Sequence, residues 1–279
     1  MARNPTRLEQ LAKQLLTVAT ELEGARAAEA ATGGRALVRV RESIDQAAQR
    51  LRELLEQLAT TKTPGFVFDP ASPDVAGRVV ALALLMQDPK PLADADQERF
   101  YGSGVYALYY RGSFDAYRPL AGKDHPLYVG KAEPDDPTST TPRGQGERLS
   151  RRVREHRRTI AAATTTLDLA DFAYRALVVA SGHEGAAEKH LIRLFKPIWN
   201  SETKICYGFG KHGDAPTTRA NLRSPWDTLH PARAWATTPP ARSTKEIRAD
   251  IAHHLTENPP YSSLRDALHA FLETFRAPR

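Results

Sequence analysis

The sequence has almost no cysteine and no long apolar run. Cys206 is the only cysteine among 279 residues, so the chain can form neither an internal disulfide nor a thiolate zinc site. The most apolar run, Val79 to Met86, is far shorter than the roughly 20 residues that cross a bilayer. The first residues lead into a charged helical pattern and lack the apolar core of a secretion signal. These features predict a cytoplasmic protein without a membrane partner and exclude a disulfide-rich secreted scaffold.

Positive charge exceeds negative charge, although neither sign is scarce. The chain has 39 Lys plus Arg and 33 Asp plus Glu, a formal net charge of +6 and a pI near 9.5. Hydrophobic residues make up 41% of the chain, which is ordinary globular composition and excludes a wholly disordered or collagen-like protein. The positive excess is compatible with a polyanionic partner such as nucleic acid, but the same excess also serves solubility.

The pattern of apolar residues along 1–63 predicts two helices. Leucines recur at three- and four-residue steps through residues 5–31, and a second apolar stripe runs from Val40 to Leu58. Two adjacent glycines in Thr32-Gly33-Gly34 separate the stripes and end the first helix. We therefore predict a helical hairpin arm that serves packing, dimerisation or clamping of DNA.

The pattern changes along residues 64–243, where short strands alternate with helices. Strands are predicted where aromatic and β-branched residues concentrate, at 103–110, 126–131 and 172–180. Helices are predicted at 74–87, 146–162 and 184–195, with two more at 245–255 and 263–275 in a C-terminal helical tail, 244–279. Residues 200–243 hold Gly, Pro, Trp and Arg without clear periodicity, so we expect a long binding segment there.

Two short patterns on neighbouring predicted strands place a tyrosine beside a glycine. They are Gly104-Val105-Tyr106 and Tyr128-Val129-Gly130. Glycine leaves the adjacent backbone open, so each phenol could lie near room for a bulky ligand. Each pattern taken alone is equally typical of a packing tyrosine in a buried strand.

Polar residues that could take part in catalysis follow these two patterns along the chain. Arg152 and His156 are four residues apart and share one face of a predicted helix. Glu188 lies in the helix after the third strand, and Asn200 follows it by 12 residues. Taken singly, these residues are also compatible with a solvated helix face, a surface acid and a turn.

Taken in sequence order, the two tyrosine–glycine patterns and the polar residues after them resemble the sequence pattern of the GIY-YIG nuclease superfamily. Its pattern combines Gly-Ile/Val-Tyr, Tyr-Ile/Val-Gly, a helical Arg, a later helical Glu and a following Asn, and here Val stands in both signatures. The resemblance covers about residues 100–200. It implies an α/β (α+β) fold, with a small, mostly antiparallel sheet flanked by helices. Three further segments are similar to the superfamily's type II restriction endonucleases: Pro197-Ile198-Trp199-Asn200, Gly208-Phe209-Gly210 and Trp226-Asp227-Thr228-Leu229-His230-Pro231.

The resemblance implies hydrolysis of a phosphodiester with a divalent metal. The implied catalytic residues are Tyr106, Tyr128, Lys131, Arg152, His156, Glu188 and Asn200. A phenol is a poor base until it ionises, and either tyrosine could serve, with Tyr106 favoured. Lys131 or His156 would then lower the phenol pKa or accept its proton.

The remaining implied roles concern phosphate and metal. Arg152 offers a planar fork that matches phosphate oxygens. Glu188 is the implied ligand of Mg²⁺, for which Mn²⁺ would substitute. Asn200 would orient a neighbouring group or shape the site.

Basic residues suggest where DNA would bind. Residues 143–158 contain seven arginines and two glutamates, a local net charge of +5. We predict that DNA contacts involve Arg143, Arg148, Arg151 and Arg154 in this stretch, and Lys211, Arg219 and Arg223 in the segment 200–243. The alternatives are a solvated helix face for the first group and a structural wrap over the core for the second.

These patterns predict a sequence-specific type II restriction endonuclease for double-stranded DNA. A palindromic site needs one active site per strand, so we predict a homodimer, accompanied in the host by a cognate DNA methyltransferase. The alternatives are a structure-specific repair or homing nuclease, a non-catalytic DNA-binding module on the same scaffold, and an enzyme that cleaves RNA.

Overall fold

A computed structural model describes residues 6–28, 34–58, 61, 67–210 and 222–276. The chain divides into two units, Met1–Val67 and Phe68–Arg279. The first unit contains helices α1 (Arg7–Ala28) and α2 (Gly34–Leu58), which confirms both predicted helices. Their apolar residues are not buried in a hairpin seam, because side chains such as Leu15 and Ile44 are largely exposed.

A four-stranded antiparallel sheet lies at the centre of the second unit. Its strands are β1 (Lys90–Pro91), β2 (Gly104–Tyr110), β3 (Tyr128–Ala132) and β4 (Phe172–Val178). They lie in the order β1-β4-β2-β3, and every neighbouring pair is antiparallel. The three predicted strands and the fold class are confirmed. β1 was not predicted, because two residues that include a proline carry no periodic signal.

Six helices accompany the sheet among the described residues of this unit. They are α3 (Pro73–Leu85), α4 (Arg148–Ala161), α5 (Glu184–Phe195), α6 (Pro225–Leu229), α7 (Thr244–Glu257) and α8 (Leu264–Glu273). Serine caps begin several of them: the side chain of Ser72 accepts from the Val75 amide, and Ser243 forms a capping box with Glu246. The predicted C-terminal helices are thus present within about two residues of the expected bounds.

The helices form two hydrophobic cores, one on each face of the sheet. The first core contains residues of α4, α6 and α7, and the second contains residues of α3, α5 and α8. Successive side chains of a strand point to opposite faces, so Tyr106 enters the first core and Val105 enters the second. Because both faces are covered, every residue of β2 is buried.

The register of β2 against β3 explains why the two sequence signatures are mirror images. Tyr106 pairs directly with Gly130. A Cβ atom added at Gly130 would lie 2.4 Å from the Tyr106 hydroxyl oxygen. The tyrosine ring therefore occupies the space that a side chain at position 130 would need, and only glycine leaves that space free.

This packing yields a first prediction. We expect Gly130→Ala to lower the free energy of unfolding by about 1–3 kcal/mol, because the added methyl group overpacks the core against Tyr106. Urea denaturation measures the change. Gly24→Ala is the control, since no atom lies within 4 Å of a Cβ at that helical position and alanine favours helix. Equal stability of Gly130→Ala and the wild type would contradict this account.

Candidate active site

The candidate site is assembled around the free edge of β3. Asn200 is buried there: its side-chain oxygen accepts from the Val129 amide at 2.9 Å, and its side-chain nitrogen donates to the Val129 carbonyl at 2.8 Å. Two residues along the strand, the Lys131 backbone lies beside the Glu188 carboxyl and lowers the pKa of that carboxyl. Asn200 thus takes the place of a further strand at Val129.

Four predicted residues meet on the α4 side of the sheet. The Tyr106 hydroxyl and Nε2 of His156 are 2.6 Å apart. The rings of Tyr106 and Tyr128 lie 6.1 Å apart between centroids, and that of Tyr128 lies 5.2 Å from the His156 ring. Arg152 acts electrostatically on both phenols. Tyr106 has no exposed surface, whereas Tyr128 is 9% exposed and borders an open cleft.

Burial keeps both phenols protonated. It raises the pKa of Tyr106 well above the ordinary value, and the neighbouring Tyr128 adds to the effect while Arg152 opposes it. Burial also raises the pKa of Tyr128, which Arg152 and the Tyr106 hydroxyl lower. Ionisation of either phenol therefore needs a further cation or a proton acceptor, and the His156 ring in contact with Tyr106 could accept a proton in its neutral form.

Lys131 lies with carboxylates rather than with the phenols. Its Nζ is 2.6 Å from Glu133, and this hydrogen bond raises the pKa of the lysine. The strand period of two explains the placement, because Lys131 and Tyr128 are three residues apart on β3 and point to opposite faces. The cation beside the phenols is Arg152, not Lys131. The same period could have identified Glu133, which the sequence interpretation missed.

Glu188 has the most strongly perturbed carboxyl group of the cleft. Burial raises its pKa from an ordinary 4.5 to about 7, although Lys131 partly opposes the shift. A half-buried carboxyl of this kind gains from a nearby cation when it ionises. The described residues contain no group of three or more His, Cys, Asp or Glu that could hold a metal. Glu188, which lines the cleft, could hold a cation through its carboxylate together with water and substrate oxygens, a mode that suits Mg²⁺.

An open cleft of about 500 Å³ is lined both by Tyr128, on the α4 side of the sheet, and by Lys131 and Glu188, on the other side. Its lining is mostly charged, with cations and carboxylates together: Tyr128, Lys131, Ala132, Glu133, Arg148, Arg151, Arg152, Glu155 and Glu188. Arg152 is held at its rim, because Nη1 lies 3.1 Å from Glu155 and Nη2 donates to the Gly210 carbonyl at 2.9 Å. Such a lining suits a phosphodiester and a hydrated cation better than an apolar ligand.

Much of the basic charge predicted to contact DNA is paired within the protein. Arg148 lies 2.8 Å from Asp135, and Arg154 lies 3.2 Å from Glu147. The Arg154 side chain is 13% exposed, and neither it nor Arg143 is among the described residues that line the cleft. Arg148 and Arg151 do line the cleft, and Arg151 is exposed there.

The predicted recognition segment is described only in part. Arg223 donates from Nε to the Ala236 carbonyl at 3.1 Å, so its side chain is tied to the segment itself. Lys211 and Arg219 lie outside the described residues. Phe209, two residues before residue 211, stacks on His156 at 4.5 Å between centroids. The sequence interpretation noted the surrounding Gly-Phe-Gly without giving it a role.

The cleft beside the small antiparallel sheet combines a phenol, carboxylates and guanidinium groups. A family model described as the Eco29kI GIY-YIG domain matches residues 98–255, more than half of the chain. The chain therefore belongs to the Eco29kI family of GIY-YIG nucleases, and Eco29kI is a type II restriction endonuclease. A search of curated proteins found no match. Within the described residues, no helix is long and apolar enough to cross a membrane.

The raised pKa of Glu188 yields a second prediction. The unfolded chain releases this proton near pH 4.5 and the folded protein only near 7, so folding stability should fall as the pH rises between these values. The loss is at most about 3 kcal/mol. Glu188→Gln cannot ionise and should lack this part of the pH dependence.

Urea denaturation in EDTA at pH 5 and pH 8 measures the difference. The control is Glu257→Gln, which changes an exposed glutamate outside the cleft. That variant should keep the wild-type pH dependence. If Glu188→Gln loses as much stability as the wild type between pH 5 and pH 8, Glu188 does not hold its proton as described.

Proposed function

We propose that the protein is a type II restriction endonuclease that cleaves double-stranded DNA at a specific sequence with a divalent metal. The observation that carries the proposal is the single cleft in which Arg152, Tyr128 and Glu188 face one space. The family match supports it, since Eco29kI is a type II restriction endonuclease.

Arg152 would bind the scissile phosphate. Its guanidinium can form two parallel hydrogen bonds to non-bridging oxygens, a geometry that lysine cannot reproduce. Glu155 and the Gly210 carbonyl already restrict the orientation of this side chain. The Arg152 side chain would then lose little conformational freedom when the phosphate enters the cleft.

Tyr128 would be the phenol that meets the attacking water, because it borders the cleft and Tyr106 lies behind it. This proposal departs from the preference for Tyr106 based on sequence. Tyr128 must lose its own proton before it can act as a base. Tyr106 can take that proton as it gives its own to His156, whose Nε2 lies 2.6 Å from the Tyr106 hydroxyl. Arg152 stabilises the resulting phenolate.

Glu188 would hold the metal, with Mg²⁺ as the natural ion and Mn²⁺ as a substitute. When bound, the ion supplies charge neutralisation at the phosphate and at the leaving oxygen. Glu188 must be deprotonated to bind it, so a pKa of about 7 makes metal binding depend on pH near neutrality. Asn200 keeps β3 in place rather than entering the cleft.

The same function implies partners beyond the substrate. A palindromic site needs one active centre on each strand, so we infer a homodimer. The exposed leucines of α1 and α2 support an arm used for dimerisation or for clamping DNA. The protein would act in the cytoplasm, beside a cognate methyltransferase that protects host DNA.

The direct test of this function is digestion of phage DNA with Mg²⁺, followed by sequencing of the ends. We expect fragments with one recurring end sequence, and EDTA should abolish cleavage. Glu188→Gln should also lose cleavage, since the neutral amide binds the cation poorly, while Glu257→Gln should cut like the wild type. Ends without a common sequence would contradict site specificity, and full activity of Glu188→Gln would remove Glu188 as the metal ligand.

Arg152 gives a separate prediction on the chemical step. Arg152→Lys keeps the charge but loses the bidentate fork, so we expect the cleavage rate at saturating DNA to fall about 10²–10³-fold. DNA affinity should change little, because the charge remains. Arg158→Lys, an exposed position on the same helix, is the matched control. A rate for Arg152→Lys within threefold of the wild type would rule out bidentate phosphate binding by Arg152.

A further inference from the structure

We propose that the turn Gly208-Phe209-Gly210 is a positioning element for the cleavage reaction. It sets the orientation of His156 through the Phe209 ring and that of Arg152 through the Gly210 carbonyl. Neither Phe209 nor Gly210 belongs to the catalytic residues implied by the sequence. The inference rests on the proposed function for its kinetic test, but it also has a structural readout that needs no cleavage.

Phe209 contacts two of the rings in the proposed proton path. Its ring is stacked on His156, with centroids 4.5 Å apart and planes inclined by 21°. It meets the Tyr128 ring at 5.2 Å and 77°, close to an edge-on contact. Phe209 is 2% exposed, so its own orientation is fixed by packing. The imidazole therefore contacts both Phe209 and Tyr106, whose ring centroid is 5.3 Å away.

Gly210 contacts Arg152 and also approaches Tyr128. Its carbonyl oxygen accepts from Nη2 of Arg152 at 2.9 Å. A Cβ atom added at Gly210 would lie 2.4 Å from the Tyr128 hydroxyl oxygen, so the backbone approaches this phenol too closely for any side chain. Two consecutive residues, Phe209 and Gly210, thus contact His156, Tyr128 and Arg152.

The turn is held by Arg233, which is not among the described residues that line the cleft. Its guanidinium donates from Nη1 to the Gly208 carbonyl at 2.9 Å and from Nη2 to the Phe209 carbonyl at 2.7 Å. The same group lies over the Trp226 ring at 4.8 Å and 3.5 Å from Asp227. A lysine ammonium lacks the planar fork that matches these two carbonyls, so it would fix the turn less rigidly.

These contacts separate a positioning role from ordinary packing. A phenylalanine that only fills space can be replaced by leucine at a cost in stability but not in the chemical step. Here the contacts end on the groups that would move the proton and bind the phosphate. A misplacement of about 1 Å at such groups can cost about 10²-fold in rate.

The kinetic test compares Phe209→Leu and Arg233→Lys with the wild type on mapped phage DNA. We expect kcat at saturating DNA to fall about 10²-fold in both variants, with KM within about twofold of the wild-type value. The double variant should be little slower than either single one, because both changes act through one turn. Phe271→Leu is the matched control: Phe271 is fully buried in the core on the other face of the sheet, so this variant should lose stability but keep kcat.

The structural test uses ¹⁵N-histidine-labelled protein without DNA, with His156 assigned by comparison with His156→Gln. We expect one dominant His156 tautomer in the wild type and in Phe271→Leu, and ring nitrogen shifts closer to a tautomer average in Phe209→Leu. Wild-type kcat together with wild-type His156 shifts in Phe209→Leu would overturn the proposal and leave Phe209 as a packing residue. If the wild type cleaves no DNA, the proposed function fails, and the His156 shifts alone decide whether the turn positions the imidazole.

Discussion

The hydrogen bonds along the free edge of β3 are the constraint on which the candidate site depends. A strand at the edge of a sheet must satisfy its outward amides without a neighbouring strand. Asn200 does so at Val129, and the Glu188 carboxyl lies beside the Lys131 backbone two residues further on. These two contacts bring α5 and the segment that follows it against the strand. The contacts at the edge of β3 thus also hold Glu188 beside the cleft, where it would take part in the chemistry.

Strand alternation then divides the site between two faces. Tyr128 and Gly130 face α4, where Gly130 leaves room for the Tyr106 ring. Lys131 faces the opposite side, near Glu188. The cleft lies where these two sides meet at the end of β3. One short strand therefore places a phenol and an ammonium group around the same space without any unusual backbone.

Burial gives these groups a common electrostatic character. The phenols and the Glu188 carboxyl all have raised pKa values, and the leading cause in each case is loss of water. Burial thus favours the neutral forms of these three groups, and positive charge or a proton acceptor is needed to ionise the phenols. Arg152 opposes this tendency at the phenols, as Lys131 does at Glu188.

Sequence patterns predicted the parts of this arrangement that depend on local periodicity. β2, β4 and the helices around them follow from aromatic runs, apolar stripes and serine caps, and Arg152 with His156 follows from helical spacing. Long-range partners left no comparable signal. The pairing of Arg154 with Glu147 spans seven residues across a helix start, and the contact of Phe209 with His156 spans more than fifty. The prediction that Lys131 lowers a phenol pKa could have been avoided, because the strand period places Lys131 on the face opposite Tyr128.

The central claim is that the two sides of β3 form one phosphodiester site. The most direct measurement is a crystal structure of the protein with uncleaved cognate DNA and Ca²⁺. The account predicts the scissile phosphate within hydrogen-bond distance of Arg152 and the cation bound to the Glu188 carboxylate, with Tyr128 facing the phosphorus. A phosphate backbone that passes outside this cleft, or a cation bound away from Glu188, would contradict it.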